Sequence, residues 1–137
     1  MSEGEILLVE DDREVRELLV DALEDQGYSV AAAEDGLDAL EQLRSRSEVP
    51  RLMLLDLMMP KMTGSELREE LSREPIWSQI PFIVLSSHAR VAETGAALGA
   101  RESLRKPVRV ERLFEAVARV LGGRTAPSSG PSLDSGS

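Results

Sequence analysis

Glu5-Ile6-Leu7-Leu8-Val9-Glu10-Asp11-Asp12 runs an unbroken apolar stretch straight into three carboxylates. A strand with one wet face alternates apolar and polar residues; consecutive aliphatics without alternation mark a strand covered on both faces. A helical pattern follows at once. Val15, Leu18, Leu19, Ala22 and Leu23 recur at helical spacing, and Gly27 supplies a stop. Together these predict one βα unit of a parallel sheet.

The unit repeats. Further apolar runs at Tyr28–Ala32, Leu52–Leu57, Pro81–Ser86 and Ser103–Arg105 alternate with amphipathic stretches. Leu37, Leu40 and Leu43 predict a second helix, Glu66–Ser72 a third, Val91–Leu98 a fourth, and Val110, Leu113, Phe114, Val117, Val120 and Leu121 a fifth. The fourth is Ala-rich and contains Gly95, which predicts a short, soft helix. The expected architecture is α/β: a (βα)5 doubly wound, five-stranded parallel sheet.

A chain of 137 residues with 42% hydrophobic content suits one domain with one good core. We place it at residues 1–121. From Gly122 to Ser137 the composition turns to Gly, Ser and Pro, and this stretch reads as a disordered tail or linker. With no cysteine, disulfides and thiolate metal sites are excluded. The net charge of −9 argues against direct nucleic-acid binding. No run approaches a membrane span, and Met1-Ser2-Glu3-Gly4-Glu5 has no signal-peptide character, so a cytoplasmic setting is expected.

In an open parallel sheet, ligands bind outside the carboxyl ends of the strands. Those ends carry Glu10, Asp11 and Asp12 after the first strand, Asp56 on the third, Ser86-Ser87 on the fourth, and Lys106-Pro107 after the fifth. Crowded carboxylates repel, and a hard cation such as Mg²⁺ relieves them. With a lysine and a hydroxyl added, the set is suited to a phosphoryl group, and Asp56 reads as its nucleophile. Asp12 is better read as the cap of the first helix, leaving Glu10-Asp11 to face the pocket. His88 has no partner at metal spacing and reads as a rim residue; Trp77 reads as a packing plug.

Glu10-Asp11, the run Asp56-Leu57-Met58-Met59-Pro60-Lys61-Met62-Thr63-Gly64, Leu85-Ser86-Ser87 and Lys106-Pro107 resemble the signatures of response-regulator receiver domains. They occur in that family's order and at nearly its spacing, over residues 5–121. The resemblance implies a flavodoxin-like fold with strand order 2-1-3-4-5. It also implies Asp56 as phosphoacceptor, and Mg²⁺ held by Asp11, Asp56 and the Met58 main-chain carbonyl, with Glu10 acting through water. Ser86 and Lys106 would contact the phosphoryl oxygens, and the Lys106-Pro107 peptide would be cis. Met58 and His88 would tune the lifetime of the phosphoryl group. A sensor histidine kinase or histidine phosphotransfer protein would be the donor. A downstream protein effector or a fused output domain would be the reader, with dimerisation through the face of the fourth helix, fifth strand and fifth helix as a further option. On this reading the chain is a signalling module rather than an enzyme.

Two departures from the family pattern stand out. Ser103 occupies a position where many receivers carry a Tyr or Phe that swings inward on switching, so the ring-flip part of the switch is not expected here. The stretch from Ser86 to Gly99 is about two residues short, so the fourth helix is expected to be short, shifted or mobile. Arg109 is a smaller oddity, standing where Asp or Asn often caps the fifth helix. Two rival readings differ in class. An Asp-nucleophile phosphohydrolase needs an acid/base carboxylate two residues after the nucleophile, where this chain has Met58. A phosphorylation-independent interaction module on the same fold would commonly have lost the acidic pair, the Asp or the Lys, and all are present.

Overall fold

The computed structural model describes residues 4–59 and 61–121. Strands β1 (Ile6–Val9), β2 (Val30–Ala33), β3 (Leu52–Asp56), β4 (Phe82–Ser86) and β5 (Glu102–Arg105) form one parallel sheet in the order β2-β1-β3-β4-β5. They are joined by helices α1 (Arg13–Asp25), α2 (Gly36–Ser45), α3 (Gly64–Ser72), α4 (Val91–Leu98) and α5 (Val110–Val120), with one 3-10 turn at Trp77–Gln79 before β4. The doubly wound (βα)5 architecture is as the sequence pattern predicts, and the strand order is the one the family resemblance implies. The tail expected from Gly122 onward lies outside the described residues.

The aliphatic runs explain the layering. Successive strand residues point to opposite faces. Leu7, Val9, Met53, Leu55 and Val84 therefore build one core with Leu40, Leu67 and Val91 of α2, α3 and α4. Ile6, Leu8, Leu54, Ile83 and Leu85 build the other with Leu19, Leu23, Leu113 and Val117 of α1 and α5. Every residue of β1, β3 and β4 is buried, whereas edge strand β5 is half-buried to exposed. Among the described residues no helix is long and apolar enough to cross a membrane.

Local chemistry sets the helix starts. Asp12 accepts the Val15 N–H at 3.1 Å and caps α1, as expected. Helix α3 begins at Gly64, earlier than the apolar spacing predicts, because Thr63 and Glu66 form a reciprocal capping box with bonds of 3.1 and 2.9 Å. Gly64 also lets that helix start against the end of β3, since a Cβ there would lie 2.8 Å from the Asp56 carbonyl oxygen. Strand β2 starts at Val30 rather than Tyr28. The Tyr28 ring is buried in the α1/α5 core instead of lying on the strand.

Helix α4 corrects the sequence reading of Gly95. The helix is short, as expected, and Gly99 closes it with φ +90°. Gly95, however, is a buried contact point. A methyl at that position would strike the Ser103 Oγ and approach Val84 Cγ2 at 2.7 Å. Propensity treats this glycine as a weakness, but packing makes it the residue that seats α4 flush against β4 and β5.

Candidate functional site

Because the strands are parallel, their carboxyl ends share one edge, and the winding reverses between β1 and β3. Val9 pairs with Leu55, and Asp56 with Leu85, so Glu10 and Asp56 stand side by side at that reversal. Both are buried, Glu10 at 0% and Asp56 at 2% exposure, while Asp11 is exposed at the mouth. Oxygen atoms of Glu10, Asp11 and Asp56 lie within 4.8 Å of one another.

Lys106 reaches this cluster from the end of β5. Its Nζ lies 2.8 Å from Glu10 Oε1 and 3.2 Å from Asp56 Oδ2. Its backbone N–H donates to the Ser86 carbonyl at 2.9 Å, and the Lys106-Pro107 peptide is cis. The Met58 N–H donates to Asp56 Oδ1 at 3.1 Å, which fixes the carboxylate from its own loop. Ser86, at 1% exposure, closes β4, and its hydroxyl accepts the His88 N–H at 3.0 Å. The exposed His88 ring accepts the Arg90 N–H through Nδ1 at 3.2 Å. A depression of about 220 Å³ beside these groups is lined by Leu57, Met58, Thr63, Ser65, Ser86 and His88 among others.

Arg16 is a contributor that the sequence reading missed. Its Nη1 donates to the Glu10 carbonyl at 2.8 Å and to the Asp11 carbonyl at 3.4 Å, pinning the acidic turn from α1. A side chain that bonds main-chain oxygens leaves no residue pattern to find. Ser103 is not part of the cluster; it lies half-buried on β5 beneath α4. Trp77 packs against the α2/α3 core, as a plug would.

The electrostatics follow from one ammonium serving a crowd of carboxylates. Burial, the Asp11 carboxyl and the Glu10 charge raise the Asp56 pKa from 3.8 to about 7, against the lowering pull of the Met58 N–H and Lys106. Burial disfavours the Lys106 charge, yet Glu10 and Asp56 outweigh it and hold the amine above its ordinary value. Excess negative charge thus remains at the cluster. An all-oxygen donor set with surplus charge and an exposed mouth suits a hard divalent cation and does not suit a soft or nitrogen-seeking one.

A family model described as the response regulator receiver domain matches residues 6–118. Among curated relatives, the response regulator MprA of Mycobacterium sp. (strain KMS) is 40% identical over 92% of this chain and 54% of its own length. The transcriptional regulatory protein CpxR homolog of Haemophilus influenzae is 35% identical over the same shares. The chain therefore spans about half the length of the relatives it matches. Among solved structures, the chemotaxis response regulator CheY4 of Vibrio cholerae superposes with a TM-score of 0.76 at 29% identity, covering 84% of this chain and 96% of that one. The receiver domain of NtrX from Brucella abortus gives 0.76 at 28%, covering 85% and 97%.

Proposed function

From the premise that this chain belongs to the response-regulator receiver-domain family of two-component signalling, we propose that Asp56 accepts a phosphoryl group in a Mg²⁺-dependent reaction. The observation that carries this reading is the convergence of Lys106, Glu10, Asp11 and Asp56 on one edge of the sheet from three separate strand ends.

An Asp56 carboxylate oxygen attacks the phosphorus of a phosphohistidine; the N–P bond breaks, and an aspartyl phosphate forms. Asp11, Asp56 and the Met58 carbonyl would hold the cation directly and Glu10 through a water. When bound, Mg²⁺ supplies the neutralisation of phosphoryl and carboxylate charge that lets donor and acceptor approach. Lys106 holds positive charge beside Asp56 and is placed to pair with the incoming phosphoryl oxygens. The exposed Met58 and His88 flank the depression beside Ser86, where they set how easily water reaches the acyl phosphate.

Signalling then runs through Ser86. Its hydroxyl accepts from the His88 N–H, so drawing it toward a phosphoryl oxygen breaks that bond and releases the first turn leading into α4. No aromatic at position 103 is available to follow it. Moving such an equilibrium from 1:99 to 99:1 takes about 5.5 kcal/mol, a scale that a few charge-assisted bonds reach. The donor is a histidine kinase or histidine phosphotransfer protein in the cytoplasm, and the reader is an effector or output domain. Residues 1–121 form the receiver unit.

Intact-mass measurement after incubation with Mg²⁺ and acetyl phosphate tests this. One phosphoryl adduct is expected, lost on chelation and lost in Asp56→Asn. An adduct that survives Asp56→Asn, or none under any condition, overturns the reading.

A further inference from the structure

Helices that join parallel strands return from the carboxyl edge of the sheet to its amino edge. The C-terminal ends of α2 and α3 therefore meet at the pole away from Asp56, where a depression of about 610 Å³ opens between them. Its lining includes the buried Leu40 and Leu43 and the half-buried Trp77. Val49 stands on the α2 side at 42% exposure, and Ile76 on the α3 side at 64%. Two large aliphatics left this open around a tryptophan are surface that association would remove from water.

The two walls also carry opposite charges. Arg44 lies in the last turn of α2, Glu74 follows α3, and both are exposed. Their neighbours are engaged: Arg73 pairs with Glu69 and Glu70, and Arg46 donates to the Gly4 and Glu48 carbonyls. Among the described residues, Arg44 and Glu74 have no ion-pair partner. Each wall thus presents one exposed apolar side chain and one unpaired charge, Val49 with Arg44 and Ile76 with Glu74.

That arrangement is complementary to itself. A two-fold axis along the depression sets the α2 wall of one copy against the α3 wall of the other, and every contact occurs twice. We propose that this pole is a homodimer interface. Val49 packs on the partner's Ile76 over the Trp77 rings, and Arg44 pairs with the partner's Glu74. Apolar burial drives the association, and the doubled ion pair fixes its register. An interface built on one depression is small, so the dimer depends on concentration. It leaves the carboxyl edge and Asp56 uncovered. The proposal goes beyond the phosphoacceptor reading, and nothing in it requires phosphorylation.

The test is sedimentation of the full chain from micromolar to millimolar concentration, with and without acetyl phosphate and Mg²⁺. The parent should dimerise equally in both conditions. Arg44→Glu and Glu74→Arg each place two like-charge contacts in the dimer, and each alone should associate about tenfold more weakly or worse. An equimolar mixture of the two variants restores both opposite-charge contacts and should dimerise like the parent. That recovery also shows that both variants are folded. Ile76→Ser should weaken association with no change of charge. A parent that stays monomeric at millimolar concentration overturns the proposal and leaves the depression to a different occupant. So does a dimer that tolerates both charge reversals, one that the mixture fails to restore, or one that forms only after phosphorylation.

Discussion

The β1/β3 edge and the α4–β5 contact are both tightly packed, for opposite reasons. At the first, the sequence gathers Glu10, Asp56 and Lys106 where burial penalises charge. At the second, it removes atoms: Gly95 meets Ser103 over Val84, and nothing charged is buried between them. The carboxylates sit at the ends of the fully buried central strands β1 and β3, and Lys106 reaches them from the end of edge strand β5. The α4–β5 contact lies at the sheet edge, where small residues control how closely a helix rides. This division suggests that the two regions respond differently to substitution.

The largest effect is expected at the charged centre. Lys106→Met leaves two buried carboxylates without their ammonium, and breaking such a pair costs on the order of 3–5 kcal/mol. Urea denaturation of the metal-free protein at pH 8 should show this loss. Loss below about 1 kcal/mol would mean that Lys106 does not neutralise the cluster.

The second effect depends on pH. With its carboxyl raised from 3.8 to about 7, Asp56 stays protonated in the fold where the unfolded chain has already released that proton. Between roughly pH 4 and pH 7 the unfolded state therefore binds fewer protons, and this group makes stability fall as pH rises. Asp56→Asn removes the effect. The metal-free variant should exceed the parent in stability at pH 8, by a few kcal/mol on the linkage scale, and the two should converge near pH 4. Thermal melts across that range check the sign; a parent that gains stability relative to the variant as pH rises would reverse the charge account.

The smallest effect, at the edge, separates propensity from packing. Gly95→Ala should raise intrinsic helix stability by about 1 kcal/mol. The clash with Ser103 and Val84 should cost about 1–3 kcal/mol and win. Denaturation should show a net loss that Ser103→Gly partly restores. A net gain would mean that α4 moves away from the sheet at no cost.

These regions also differ in how legible they are in the sequence. β1, β3 and β4 can be read because a short, unbroken aliphatic run bounded by polar turns suits a strand covered on both faces and little else. The candidate site can be read because four of the five strand ends carry a residue type that phosphoryl chemistry would need. The Ala-rich edge strand β2 gives no such signal, and its start is displaced from Tyr28 to Val30. Gly95 is opaque for a physical reason: propensity is a property of the residue, whereas close approach is a property of two segments. Arg16 escapes because its partners are backbone carbonyls. The capping box at Thr63 and Glu66 was open to reading, since its spacing is a known helix-start signal.

The central claim is that Asp56, among several neighbouring carboxylates, becomes the acyl phosphate. Borohydride reduces an acyl phosphate of aspartate to homoserine, so peptide mass spectrometry after treatment with acetyl phosphate, Mg²⁺ and borohydride locates the reaction. The account predicts homoserine at position 56 and only when Mg²⁺ is present. Homoserine at Asp11 or Asp12, or at position 56 to the same extent in chelator, would contradict it.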